Sequence, residues 1–171
     1  MKLFAALTLA RTGDAARAKA LAEGLEKNNP TDTMLKLYRL PTINAAIELS
    51  KGNSSQAIVD LEAAAPYELG TPPQRQLGTL YPAYLRGQAC RPAHHGTAAA
   101  TEFQKLLDHR SIVLNYVTGA LAHLQIGRAY AMAGDATKAK AAYQDFLTLW
   151  KDADPDIPIL KEARRSTHKL Q

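Results

Sequence analysis

The sequence predicts an all-α protein built from repeated helix pairs, and three observations predict it. Alanine and leucine dominate the 171 residues and long β-branched runs are missing. Both residues lose little conformational freedom in a helix. Apolar residues recur at three- and four-residue spacings, most clearly at Leu121, Leu124, Ile126, Ala129, Tyr130 and Ala133, which form one helical stripe. Gly13-Asp14, Gly52-Asn53 and Gly134-Asp135 interrupt such stripes with the same punctuation. Glycine accepts the left-handed conformation that closes a helix, and Asp or Asn caps the next one by accepting from its free backbone N–H groups.

In chain order, Met1 to Ala10 resembles a short signal peptide, with one positive charge and then an apolar run. The Gly13-Asp14 that follows favours a buried repeat helix instead. Pro30, after Asn28-Asn29, sits where a first helix pair closes. Pro41 interrupts the helical pattern of residues 33–49 and predicts a kink or two separate helices. The stretch Pro66 to Pro73 cannot be regular helix, because its prolines lack N–H donors. In the next pair Pro92 cuts the first helix short, His94 stands at the turn-glycine place, and Gly96 comes two residues later. His109 to Gly119 reads as a long connection. In the last pair Ala139, Tyr143, Phe146 and Trp150 share one face of the second helix. Gly127 and Ala139 are small where the two helices cross, and Tyr130 and Tyr143 fill the space beside them. Large side chains at both small positions would overpack that crossing by about 1–3 kcal/mol each. After an acidic, proline-broken stretch, Ile159 to Leu170 reads as a terminal helix with Arg164, Arg165, His168 and Lys169 near its end, where positive charge is favoured.

Anchoring on the small residue of each second helix gives Ala18, Ala57, Ala99 and Ala139, at spacings of 39, 42 and 40 residues. Thirteen residues separate both Cys90 from Phe103 and Tyr130 from Tyr143, so these two pairs share a register. Ala45 and Glu48 stand where the last pair has Gly127 and Tyr130. The expected organisation is a single domain over 1–171, with repeats at 1–30, 31–65, 79–108 and 119–151 and a C-terminal helix at 157–170.

The order Gly127, Tyr130, Gly134, Ala139, Tyr143, Phe146 resembles the tetratricopeptide repeat (TPR) family. The resemblance implies a right-handed α-α superhelix, a TPR-like solenoid of about four helix pairs plus a capping helix. Units of this length exceed the usual TPR period of about 34, and HEAT-type repeats have periods near 40–47. The glycine–tyrosine–glycine–alanine–tyrosine order favours TPR. The runs Leu80 to Gly87, Phe103 to Arg110 and Tyr143 to Ile159 resemble the C-terminal TPR regions of bacterial, especially acidobacterial, eukaryotic-like serine/threonine kinases. That likeness implies a sensor or scaffold portion of a larger signalling protein. Kinase activity does not carry over, because no glycine-rich loop, His-Arg-Asp run or Asp-Phe-Gly run is present.

The formal charge of +5 favours an acidic partner over a basic one. No basic helix with interleaved aromatics argues for nucleic acid. No run of 18 apolar residues argues for membrane insertion. The lone Cys90 excludes a disulfide within the chain and fits a reducing, cytoplasmic setting. The alternative is extracytoplasmic, as the tail of a membrane-anchored kinase. Candidate chemistry is sparse. His94-His95 lack a third metal ligand. His109 and His123 are single histidines, of which His123 packs in the last repeat. Cys90 takes the Tyr130 place and reads as a small buried apolar residue. Asp152, Asp154 and Asp156 start like a calcium loop, which then fails at Ile157 and Ala163. The expectation is no enzyme, no cofactor and no metal.

Stacked helix pairs curve, so their first helices line a concave surface. The expected peptide-binding groove comprises Arg39, Thr42, Ile43, Tyr81, Tyr84, Gln88, Arg91, Gln125, Arg128 and Met132. Tyr, Arg and Met suit peptide recognition by combining rigid amphipathic area with carboxylate-matching forks. The carboxylate clamp of chaperone-binding TPR domains does not carry over, since Ile43, Leu85 and Gln125 occupy its asparagine places. The expected function is a non-catalytic protein- or peptide-binding scaffold. The alternative is a small-ligand sensor attached to a kinase-like regulator. The apolar face Leu3-Phe4-Leu7 suggests homo-oligomers through an exposed solenoid end.

Overall fold

The Gly–Asx punctuation folds into one turn that recurs at three places among the described residues. In a computed structural model, which describes residues 2–70, 80–91 and 95–170, Gly13, Gly52 and Gly134 take φ of 90°, 80° and 82°. Open space lies where a Cβ would sit on each of them. The next residues, Asp14, Asn53 and Asp135, accept from the N–H three residues on. Their own N–H groups donate back to Leu9, Glu48 and Tyr130 carbonyls at 2.9 Å, the bond that closes a helix terminus. His95 makes the same backbone bond, donating to the Cys90 carbonyl at 3.1 Å, although its side chain caps nothing. Four residues after each of these turns stands Ala18, Ala57, Ala99 or Ala139, and all four are fully buried. The periodic register read from the sequence is thus a register of backbone geometry.

The described elements are all helical, and the chain forms two compact units, Met1–Ala89 and Cys90–Gln171. The boundary falls within the third expected repeat. In the first unit α1 (Lys2–Arg11) pairs with α2 (Ala15–Asn28), and α3 (Leu40–Ser50) pairs with α4 (Ser54–Leu61); α3 also packs on α1 and α2. Leu3, Ala6, Leu7 and Ala10 bury one stripe of α1. Of the face suggested for self-association only Phe4 is exposed, because Leu3 and Leu7 turn into the core. Residues before Pro41 do not break the helix. A π-helical turn, Leu35–Arg39, runs directly into α3, with Leu40 N–H donating to the Leu35 carbonyl. Thr42 Oγ1 donates to the Tyr38 carbonyl at 2.6 Å. A widened turn of this kind accommodates the missing proline donor.

After α4 a 3-10 segment, Glu62–Tyr67, carries Pro66. Glu68 then pairs with Arg86 of α5 (Tyr81–Cys90), and the Arg86 guanidinium also reaches the Leu61 carbonyl at 3.3 Å. Both side chains are nearly buried. Pro72, Pro73, Pro92 and His94 lie outside the described residues.

In the second unit α8 (Val117–Met132) packs between α6 (Gly96–Asp108) and α9 (Ala136–Leu149), and α10 (Pro158–His168) packs on α9. Two glycines set these crossings. A Cβ on Gly127 would stand 2.8 Å from the Tyr143 ring, and one on Gly96 would stand 2.7 Å from the Ala129 carbonyl oxygen and the Ala133 nitrogen. Leu124, Ala139, Tyr143, Phe146, Leu160 and Ala163 form the core, with the Trp150 ring tilted against that of Phe146 at 5.1 Å. The connection after α6 is not a plain loop. It folds as a single turn, α7 (Arg110–Val113), followed by Leu114 at φ 53°.

Candidate functional site

The ten groove residues expected from sequence divide between the units, with Arg39, Thr42, Ile43, Tyr81, Tyr84 and Gln88 in the first and Arg91, Gln125, Arg128 and Met132 in the second. Four of them are buried: Thr42, Ile43, Tyr84 and Gln125. A partner passing over the surface therefore meets none of these four broadside, which corrects their expected place on an open groove. Helical stripes serve packing and display alike, and the neighbouring helices cover these four. In the first unit Arg39 is held by Asp32 at 3.4 Å, and Gln88 Oε1 accepts from Arg11 at 2.9 Å. The Tyr81 ring lies 6.0 Å from that of Tyr84.

The second unit brings its candidates together. Gln125, Arg128 and Met132 fall three and four residues apart on α8, hence on one stripe. Gln125 Oε1 accepts from Arg91 Nη1 at 3.2 Å and from Arg128 Nη1 at 3.4 Å. The carbonyl end of a buried amide thus holds two guanidinium groups near each other. Arg128 also carries an ion pair, its Nη2 lying 2.6 Å from Glu162 Oε1 of α10. The arginine is largely covered while the glutamate is over half exposed. Tyr143 of α9 lies behind the pair. Burial pushes its phenol pKa up, against the opposing pull of Arg128 and a hydrogen bond with Ser166. The site is therefore four-sided: Arg91, α8, α9 and α10.

Sequence reading missed the part played by α10. A terminal helix reads as a cap from its apolar face, and Leu160 and Ala163 do bury it. The flank beside that face gives Glu162 to Arg128 and Ser166 to Tyr143. Glu162 is the single acid of α10, beside Lys161, Arg164 and Arg165, and only packing against α9 tells which side faces Arg128.

A second feature lies at the other end of α8. A cavity of about 380 Å³ opens among α7, the first turns of α8 and the last turn of α9. An adjoining cavity of about 410 Å³ shares Leu107, Arg110 and His123 with it. His123 is buried between them, with Nδ1 3.9 Å from Asp145. Loss of hydration lowers its pKa, Asp145 opposes that shift, and Arg110 adds to it. His109 ends α6, its Nδ1 2.9 Å from the Lys105 carbonyl. Cys90 is buried. Asp154 accepts from the Asp156 N–H and Asp156 pairs with Lys161, so these acids organise the loop before α10. Among the described residues no group of three His, Cys, Asp or Glu side chains has a metal-binding arrangement, and no helix is long and apolar enough to cross a membrane.

No family model, curated protein or solved structure matches this chain.

Proposed function

We propose that the chain is a non-catalytic, TPR-like scaffold module that binds a protein or peptide with acidic side chains, as part of a signalling protein. The observation that carries this reading is the convergence of Arg91 and Arg128 on the Gln125 amide beside Met132. Two guanidinium forks at one place match carboxylates in geometry as well as charge. Arg128 already holds one carboxylate, that of Glu162, and a partner's carboxylate would take the same edge. The recurring helix-closing bond and the packing of α3 on both α1 and α2, and of α8 on both α6 and α9, support stacked helix pairs. The +5 charge supports an acidic partner.

The test is selection from a displayed peptide library. Wild type should enrich acidic peptides with an apolar neighbour. Arg128→Ala should weaken the selected peptide by about tenfold or more, since a charged hydrogen bond contributes about 1.5–3 kcal/mol. Equal retention by a folded Arg128→Ala variant contradicts the reading.

A further inference from the structure

Six large apolar side chains are exposed among the described residues, and three of them, Leu114, Val117 and Leu149, line the cavity of about 380 Å³ at the start of α8. They come from three separate elements: the turn after α7, the first residue of α8 and the last of α9. Exposed apolar residues are ordinary when scattered and informative when they converge on one concavity.

The backbone holds this arrangement at a cost. Leu114 takes φ 53° and ψ −138°, a region that favours glycine, yet its side chain is 57% exposed at the cavity. Strain of this kind persists only where the surroundings enforce it. Here Leu114 N–H donates to the Arg110 carbonyl at 2.8 Å and Tyr116 N–H donates to the Val113 carbonyl at 3.3 Å. A Cβ on Gly119 would stand 2.9 Å from Val113 Cγ1, so the bare glycine lets α7 press against α8. The chain thus spends a strained leucine to present apolar surface rather than to bury it.

The lining is chiefly apolar and includes no carboxylate; its ionisable side chains are Arg110, Tyr116 and His123. Asp108 and Asp145 line the adjoining cavity instead. His123, depressed by burial, is neutral near pH 7, which leaves Arg110 as the fixed cation of the lining. The volume lies at the small end of the range for ligand pockets, about 300–1,000 Å³.

We propose that this cavity binds a free medium-chain fatty acid, its acyl chain between Leu114, Val117 and Leu149 and its carboxylate at Arg110. The site is separate from the arginine cluster of the peptide reading and stands or falls independently of it. Apolar walls contribute affinity in proportion to the methylenes covered, and one charged fork fixes the head group.

The experiment is calorimetric titration of the full chain with decanoate, hexanoate and decanol. Decanoate should bind saturably, and affinity should rise by up to about fourfold per added CH₂ from hexanoate. Val117→Asn and Leu149→Gln, at exposed positions on different helices, should each weaken decanoate at least tenfold with an unchanged thermal melt. Arg110→Gln should weaken decanoate about tenfold and leave decanol unchanged. The proposal is overturned if wild type shows no saturable decanoate binding, if Val117→Asn and Leu149→Gln both bind as wild type does, or if Arg110→Gln weakens decanol as much as decanoate.

Discussion

Gly134 and Gly96 stand at corresponding turns of successive helix pairs, and they do opposite work. Gly134 closes α8 at φ 82° with nothing near its missing Cβ. Gly96 opens α6 in ordinary helical conformation, and its missing Cβ leaves room for the backbone at the end of α8 at 2.7 Å. One glycine is chosen for conformation and the other for proximity. The difference teaches that the repeat is kept by two independent devices. A turn geometry recurs every 39 to 42 residues, and a close crossing appears where a particular pair needs it.

The largest expected effect breaks the proximity device. Gly96→Ala pushes a methyl into backbone atoms that cannot yield cheaply, and it should destabilise the second unit by about 3 kcal/mol, the upper end of overpacking costs. Gly134→Ala meets open space and bears only the left-handed penalty of about 1–2 kcal/mol. Urea denaturation of both variants checks the ranking, and a larger loss at Gly134 breaks the comparison. Gly127→Ala falls between or below. Its Cβ would meet the buried Tyr143 ring at 2.8 Å, while alanine recovers about 1 kcal/mol of helix propensity, so a net loss of about 1–2 kcal/mol is expected. Removing a cap should cost less than crowding a crossing. Asn53→Ala leaves the Gln56 N–H without its acceptor and should cost about 1 kcal/mol, readable in the melt of the first unit.

The smallest effect concerns protonation. His123 has a lowered pKa in the folded state because burial disfavours its charged form. A native state that binds fewer protons than the unfolded chain keeps its stability above the ordinary histidine value, about 6.5. That stability declines as pH falls from there through the lowered folded value. Thermal melts between pH 7.5 and about 5 should therefore show a falling midpoint for the second unit, with a shallower slope for His123→Gln. Identical slopes would remove His123 as the cause.

The turns and the four alanine anchors were legible in the sequence because each depends on local chemistry. A positive φ asks for glycine, a free helix N-terminus asks for Asp or Asn, and a tight crossing asks for a small side chain. Tyr143 against Gly127 was legible for the same reason. The irregular parts were less so. Pro41 signalled a kink or two separate helices, and the chain answered with a π turn continuous with α3, because a helix can widen to lose one donor. Ile112, Val113, Leu114 and Val117 lie in a stretch that reads as a connection, and their apolarity was the overlooked sign of a folded turn. Within the candidate site, Gln125 and Arg128 were placed on one stripe by spacing alone. Their burial, and the contribution of Glu162 from α10, depend on which helix covers which face, and spacing along one helix carries no such information.

The proposed binding surface for acidic peptide is the α8 stripe facing Arg91. The most direct measurement is backbone-amide NMR of the labelled chain titrated with the selected acidic peptide. Shift changes should be concentrated at Arg91, at residues 125–132 of α8 and around Glu162, and Arg128→Ala should move them to about tenfold or higher peptide concentration. Saturable shifts confined to other residues, with α8 unmoved, would contradict it.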